Sequence, residues 1–136
     1  MNQTTHFGWK LPQLNDPVDI TVLNSNFSAM DNTLYHTVYV SGSYSGDGQE
    51  NRTISLGFTP HALLLINEGG RTSLNENGSE WIYGGLVLPD CPMVYSGRTY
   101  LEIVSGGFAL HQHPNQSSCY GYLNSSGKNF YYMAWQ

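Results

Sequence analysis

A change of period constrains this chain more than any other feature. Up to Leu34 one segment repeats apolar residues at helical spacing; from His36 onward that period disappears. Short runs with strand character take its place, at 37–40, 52–56, 61–66, 81–83, 86–88, 99–104, 108–113, 119–123 and 129–135. Gly69-Gly70, Asn77-Gly78, Gly84-Gly85, Gly106-Gly107 and Ser126-Gly127 punctuate them, and a glycine-studded loop runs from Ser43 to Gly48. The run 61–66 is apolar on both faces, which predicts a central strand. In the last run Phe130, Tyr132 and Ala134 point to one side and Tyr131, Met133 and Trp135 to the other. Both faces should therefore be covered, one by the core and the other by a second layer or a neighbouring subunit. About eight short strands with close turns and no βαβ spacing predict a mainly β fold, an antiparallel β-sandwich of jelly-roll type.

The helical segment precedes this region. Asp16 can cap a helix, Pro17 suits a first helical position, and Asp19 favours the positive end of the dipole. Ile20, Leu23, Phe27, Met30 and Leu34 then follow at alternating spacings of three and four, the a/d seam of two heptads. A helix of about 15 residues is marginal alone in water, so the seam needs a partner. Packing on its own domain is the commoner fate of such a helix. Here the apolar stripe is narrow and flanked by Asn24, Asn26, Asp31 and Asn32, which favours association between copies. Residues 1–14, with Gly8, Trp9 and Pro12 in no period, read as an irregular arm. The expected division is an arm and oligomerising helix over 1–36 and a β-sandwich head over 37–136.

Composition narrows the function. The 136 residues suffice for one core and a short appendage. Charged residues are only 11%, so the surface relies on uncharged polar groups that are easily buried against another copy. A net charge of −5 with five scattered Lys and Arg gives no footing for nucleic acid. The longest apolar stretch, 62–66, is too short to insert in a bilayer, and residues 1–5 lack the basic and apolar regions of a secretion signal. The expectation is a soluble protein made in a cytosol, with Cys91 and Cys119 as two free, buried thiols. The Asn-x-Ser/Thr triplets at Asn51, Asn77 and Asn124 follow from composition and carry no glycosylation reading.

No catalytic constellation stands out: there is no Gly-x-Ser-x-Gly elbow, phosphate-cradling loop or His-Glu-x-x-His. Asp47, Glu68, Glu76, Glu80, Asp90 and Glu102 are available to a glycosidase, but no spacing pairs any two. Exposed loop acids are the expectation, and neither an enzyme nor a cofactor is predicted. Aromatic rings beside polar loops suit sugar recognition, because a ring stacks on a pyranose while amides and carboxylates bond its hydroxyls. Trp81 and Tyr83 follow the polar loop 75–80, and Tyr120 and Tyr122 follow the loop 115–118, which contributes Asn115. For any one ring, filling the core or a trimer interface is the commoner role.

Gly8-Trp9-Lys10-Leu11-Pro12, Asp16-Pro17-Val18-Asp19-Ile20, Leu23-Asn24-Ser25-Asn26-Phe27 and Met30-Asp31 form an ordered series. It resembles the N-terminal segment of many bacteriophage tail and fibre proteins, where a helix of the form D-x-V-D-I-x-x-L-N-x-N-F precedes a distal domain. The runs 42–48, 52–60, 85–88, 106–108, 123–127 and 131–134 are similar to the C-terminal β-domains of phage fibres. The resemblance covers most of the chain except the loops 72–80 and 113–118. It implies a homotrimeric virion protein of the tail fibre, made in the host bacterial cytoplasm. It further implies contact with other virion tail proteins and a distal domain that binds a host cell-surface polysaccharide. The chain lacks the long shaft of a full fibre, so a fibre tip, a short fibre, or a purely structural tail, baseplate or accessory protein all remain open. His111-Gln112-His113 is the only metal-like spacing. Two imidazoles are too few for a closed site, and six would gather only about a three-fold axis. The pair runs into a polar loop, so no metal is assigned.

Overall fold

The structure, a computed structural model, describes residues 2–17, 19–115 and 118–136, with the backbone alone for Tyr35, His36 and Thr37. The chain falls into two compact units, Met1–Val38 and Tyr39–Gln136.

The first unit holds two short strands and a helix. Strands β1 (Asn2–Gln3) and β2 (Lys10–Leu11) pair antiparallel. The arm is therefore a small hairpin, not the irregular segment expected. Thr4 ties it together: its amide donates to the Trp9 carbonyl (2.8 Å) and its hydroxyl accepts from the Trp9 amide (3.0 Å). Helix α1 spans Ile20–Thr37, and its N-cap is Asp19 rather than Asp16. The Asp19 carboxylate accepts from the Thr21 amide (2.9 Å) and hydroxyl (2.6 Å), which holds its pKa below the usual range. Asp16 is already engaged, accepting from the Gln13 amide at 2.8 Å to close the preceding turn. Asn26 exchanges two hydrogen bonds with the Lys10 backbone, so one helix face is taken by the hairpin. Among the described residues Val22 is the most buried apolar side chain of the helix, while Ile20, Phe27 and Leu34 each remain about 60% exposed. Leu23 and Met30 are half-buried.

The second unit is mainly β and largely antiparallel. Strands β3 (Tyr39–Ser45), β13 (Asn129–Trp135), β5 (Ala62–Asn67) and β8 (Gly85–Val87) lie in that order in one sheet. Strands β4 (Asn51–Ser55), β11 (Gly107–His111), β10 (Arg98–Val104) and β9 (Met93–Tyr95) form a second. Strands β12 (Cys119–Gly121), β7 (Ser79–Ile82) and β6 (Ser73–Glu76) make a third. One core joins all three, built from Tyr44, Leu63, Leu65, Ile82, Tyr100, Leu101, Phe108, Leu110, Leu123 and Phe130. The arrangement is sandwich-like and open rather than a closed barrel, as the strand pattern predicts.

The strand expected to be central is interior, β5 lying between β13 and β8, and β13 in turn lies between β3 and β5. Phe130 and Ala134 of β13 are buried in the core. Between them, Tyr132 lies opposite Gly42 and edge-on to Phe108. A Cβ at Gly42 would overlap the Tyr132 ring, so glycine makes room for that aromatic. On the other face, expected to be covered by a second layer or a neighbouring subunit, Tyr131, Tyr39 and Leu86 stay more than 40% exposed in a single chain. A hollow of about 400 Å³ lies there between Ser41, Ser43, Leu64, Ile66, Tyr131 and Met133. Cys119 is buried and receives the Tyr100 hydroxyl at 3.4 Å, but Cys91 is exposed, contrary to expectation, because it lies in the turn bridged to Leu88. Among the described residues no helix is long and apolar enough to cross a membrane.

Candidate functional site

The four rings expected to bind sugar lie on or directly beside the strands of the three-stranded sheet. Asn77 and Gly78 both adopt positive φ (52° and 78°), the geometry of a tight two-residue hairpin, and this returns β6 into β7. On its other edge β7 takes β12 as a parallel neighbour, which sets Tyr120 directly beside Trp81. Lateral neighbours in a sheet are about 4.8 Å apart, and the Trp81 and Tyr120 ring centroids are 4.8 Å apart and stacked. Two residues on, Tyr122 stacks on Trp81 at 5.2 Å, held by its amide donating to the Ile82 carbonyl (2.8 Å). The two tyrosines are only 6.4 Å apart, less than their combined distances from the indole. They therefore flank Trp81 as an offset cluster and do not enclose it between two faces.

Trp81, Tyr83 and Tyr122 form the aromatic wall of a cleft of about 410 Å³, whose polar wall carries Asn67, Glu68, Ser125, Ser126 and Lys128. All three rings are half-buried. Glu68 is fixed from two sides: Oε1 lies 3.1 Å from Lys128 Nζ, and Oε2 accepts from the Asn129 amide at 3.2 Å. The Asn129 amide and then Lys128 hold its carboxyl below the usual carboxylate range, so it is ionised at neutral pH. Asn67 Oδ1 accepts from the amides of Gly69 and Arg71, shaping the turn that presents Glu68.

The loop bearing Ser125 and Ser126 is anchored from beneath. Asn124 is completely buried, and its side chain donates to Asp47 Oδ1 (2.5 Å) and the Gln49 carbonyl (3.1 Å) while accepting from Arg52 (3.0 Å). Its amide donates to Gln112 Oε1 at 3.1 Å. The 46–48 segment runs alongside, and a Cβ on Gly46 would collide with the Ser125 carbonyl. Among the described residues no buried side-chain nitrogen or oxygen lacks a partner, so this polar hub is fully satisfied.

Four of the five residues singled out in the sequence thus come together. Trp81, Tyr83 and Tyr122 line the cleft, and Tyr120 backs the indole. Asn115 is exposed in a separate turn and does not line the cleft; Gln116 and Ser117 of its loop lie outside the described residues. Sequence reasoning placed Glu68 among the loop acids and left Asn67, Ser125, Ser126 and Lys128 unassigned. A polar turn directly after a central strand was the available signal for Asn67 and Glu68. The His-x-His pair is turned to protein acceptors. His111 has Asn51 Oδ1 2.7 Å from Nδ1 and Glu102 Oε1 2.9 Å from Nε2. His113 Nε2 sits 3.0 Å from the Thr99 carbonyl, an acceptor that requires that nitrogen to carry its proton. Among the described residues no group of three or more His, Cys, Asp or Glu is placed to hold a metal ion. No protein-family model matches the chain, and neither a curated protein nor a solved structure is significantly similar to it.

Proposed function

We propose that the β unit is a non-enzymatic carbohydrate-binding head, acting as the host-attachment tip of a bacteriophage tail fibre. The observation that carries the binding reading is that Trp81 and Tyr122 line one cleft together with Glu68, Asn67 and the serine loop. Sugar sites need that pairing of an apolar ring face with fixed polar groups on the opposite side. Among the described residues lining the cleft Glu68 is the one carboxylate, where glycoside hydrolysis needs two across the bond. The phage attribution is supported by the order of motifs along the chain and by the helix seam, with Ile20 and Phe27 exposed for pairing with other copies. In this reading the assembled protein is a homotrimer that joins other virion tail proteins and recognises a host surface polysaccharide.

A glycan array probed with the full chain tests the binding. Selective retention of one polysaccharide class, abolished in Trp81→Ala with the fold intact, is expected. Silence across bacterial surface glycans would defeat the proposal. Sedimentation equilibrium tests assembly: a three-chain mass at micromolar concentration is expected, reduced in Phe27→Ala, and a monomer would refute it.

A further inference from the structure

We infer that the cleft selects an uncharged pyranose presenting two adjacent free hydroxyls, and that Glu68 and Lys128 set this choice. The inference rests on the sugar-binding reading of the cleft and adds the chemical class of the sugar. Glu68 and Lys128 stand as an acceptor and a donor 3.1 Å apart, both substantially exposed, on the cleft wall that also holds Asn67. Each Glu68 oxygen already receives one donor, Lys128 on Oε1 and the Asn129 amide on Oε2. A carboxylate has about four acceptor sites, so each oxygen keeps one free. The Lys128 ammonium has three N–H donors and directs one at Glu68, leaving others for a ligand. Neighbouring hydroxyls on a pyranose offer the complementary set: one donates to the carboxylate while the next accepts from the ammonium. The ring face is then left to Trp81 and Tyr122.

Charge excludes the alternatives. Lys128 is the one cation among the described residues lining the cleft, and Glu68 neutralises it at contact distance. A uronate, sialate or phosphate would meet the Glu68 carboxylate with no unbalanced positive charge to offset it, on a chain of net charge −5. An amino sugar would meet the Lys128 ammonium in the same way. Asn67 Oδ1 and the Glu68 carboxylate are both committed to backbone amides, so the acceptor geometry is in place before any ligand arrives.

The test measures binding of the full chain to a soluble glucan, galactan and mannan, to polygalacturonate, and to chitosan. At least one neutral polymer should bind about tenfold or more tighter than either charged one. Glu68→Gln should narrow that gap by raising affinity for polygalacturonate while weakening the neutral ligand. The monosaccharide of the preferred polymer should compete, and its deoxy analogues at two adjacent carbons should not. Tighter binding to polygalacturonate or chitosan would overturn the inference yet leave the cleft a sugar site. So would competition lost on removal of a single hydroxyl only, or of two that are not adjacent. Binding to none of the five polymers, alongside a silent glycan array, would take down the sugar reading as well.

Discussion

Two aromatic clusters in the β unit have nearly the same ring spacings and different settings. In the core, Tyr44 stacks on Phe130 at 5.2 Å and Phe108 meets Tyr132 edge-on at 5.3 Å. On the small sheet, Trp81 stacks on Tyr120 and Tyr122 at 4.8 and 5.2 Å. Apart from the half-buried Tyr132, the core rings are sealed: Phe108 is 0% and Phe130 1% exposed, and the Tyr44 hydroxyl donates to the Leu123 carbonyl at 2.5 Å. Burial pushes the Tyr44 phenol far above its ordinary pKa even though Arg52 lies over its ring. The Trp81 cluster keeps part of each ring open, and Trp81 and Tyr122 share a cleft with an ionised carboxylate. Ring contact therefore does not separate packing from recognition. What separates them is whether a ring face is left over and what polar group it faces.

Substitutions can break this contrast. Phe130→Ala should have the largest effect, removing a fully buried ring and costing about 3–5 kcal/mol in urea unfolding. Asn124→Ala comes next, stranding the Arg52, Asp47 and Gln49 partners of its side chain at a cost of about 1–3 kcal/mol. Because it frees the loop of Ser125 and Ser126, it should also weaken sugar binding, readable by calorimetry on the folded fraction. Trp81→Ala should invert the pattern, with binding down more than about tenfold and stability reduced by no more than about 2 kcal/mol. If Trp81→Ala unfolds the domain as readily as Phe130→Ala does, the two clusters are one kind of object and the site is elsewhere. Acid should act most gently. The Glu68 carboxyl is depressed below its ordinary 4.5, so its ionised form, and any binding that uses it, is retained above that value. That contribution is lost only as pH falls through the lower folded value. Affinity should stay flat between about pH 7 and pH 5, and a decline already complete at pH 5 would remove Glu68 from the site.

Much of the β framework was legible because strands rich in apolar and aromatic residues write themselves into the sequence. Strand β13 matches its alternating pattern residue for residue, and the apolar run ending at Ile66 marks β5. Strands β6 and β9 left no such trace: Ser73–Glu76 is polar and Met93–Tyr95 is short, and pairing with neighbours holds them more than their own burial does. The helix cap was misplaced by one candidate, since Asp16 and Asp19 look alike until the Gln13 amide claims the first. The site was legible only in part. Trp81, Tyr83, Tyr120 and Tyr122 are visible as rings beside polar loops, but Glu68 and Lys128 meet across sixty positions of chain. No local pattern encodes such a meeting; it follows from β13 pairing with β5. The outer face of β13 was expected to be covered and is open in a single chain, as Tyr131 shows.

The three-residue strand β12 has a consequence for how long the aromatic wall exists. It joins its sheet at one edge, as the parallel neighbour of β7, with a single bridge from Gly121 to His113 on its far side, and it carries Tyr120 and leads into Tyr122. Short edge segments with few ladder bonds open far more often than central strands and without global unfolding. When β12 lifts, Trp81 loses both stacking partners while the core around Phe108 and Phe130 persists. The amides of Tyr120 and Gly121 should accordingly exchange with deuterium orders of magnitude faster than those of Tyr132 or Leu65. A bound saccharide should slow the first pair and leave the second unchanged. Apparent affinity then equals the intrinsic affinity scaled by the closed fraction, so substitutions that merely pin β12 would tighten binding without touching the sugar.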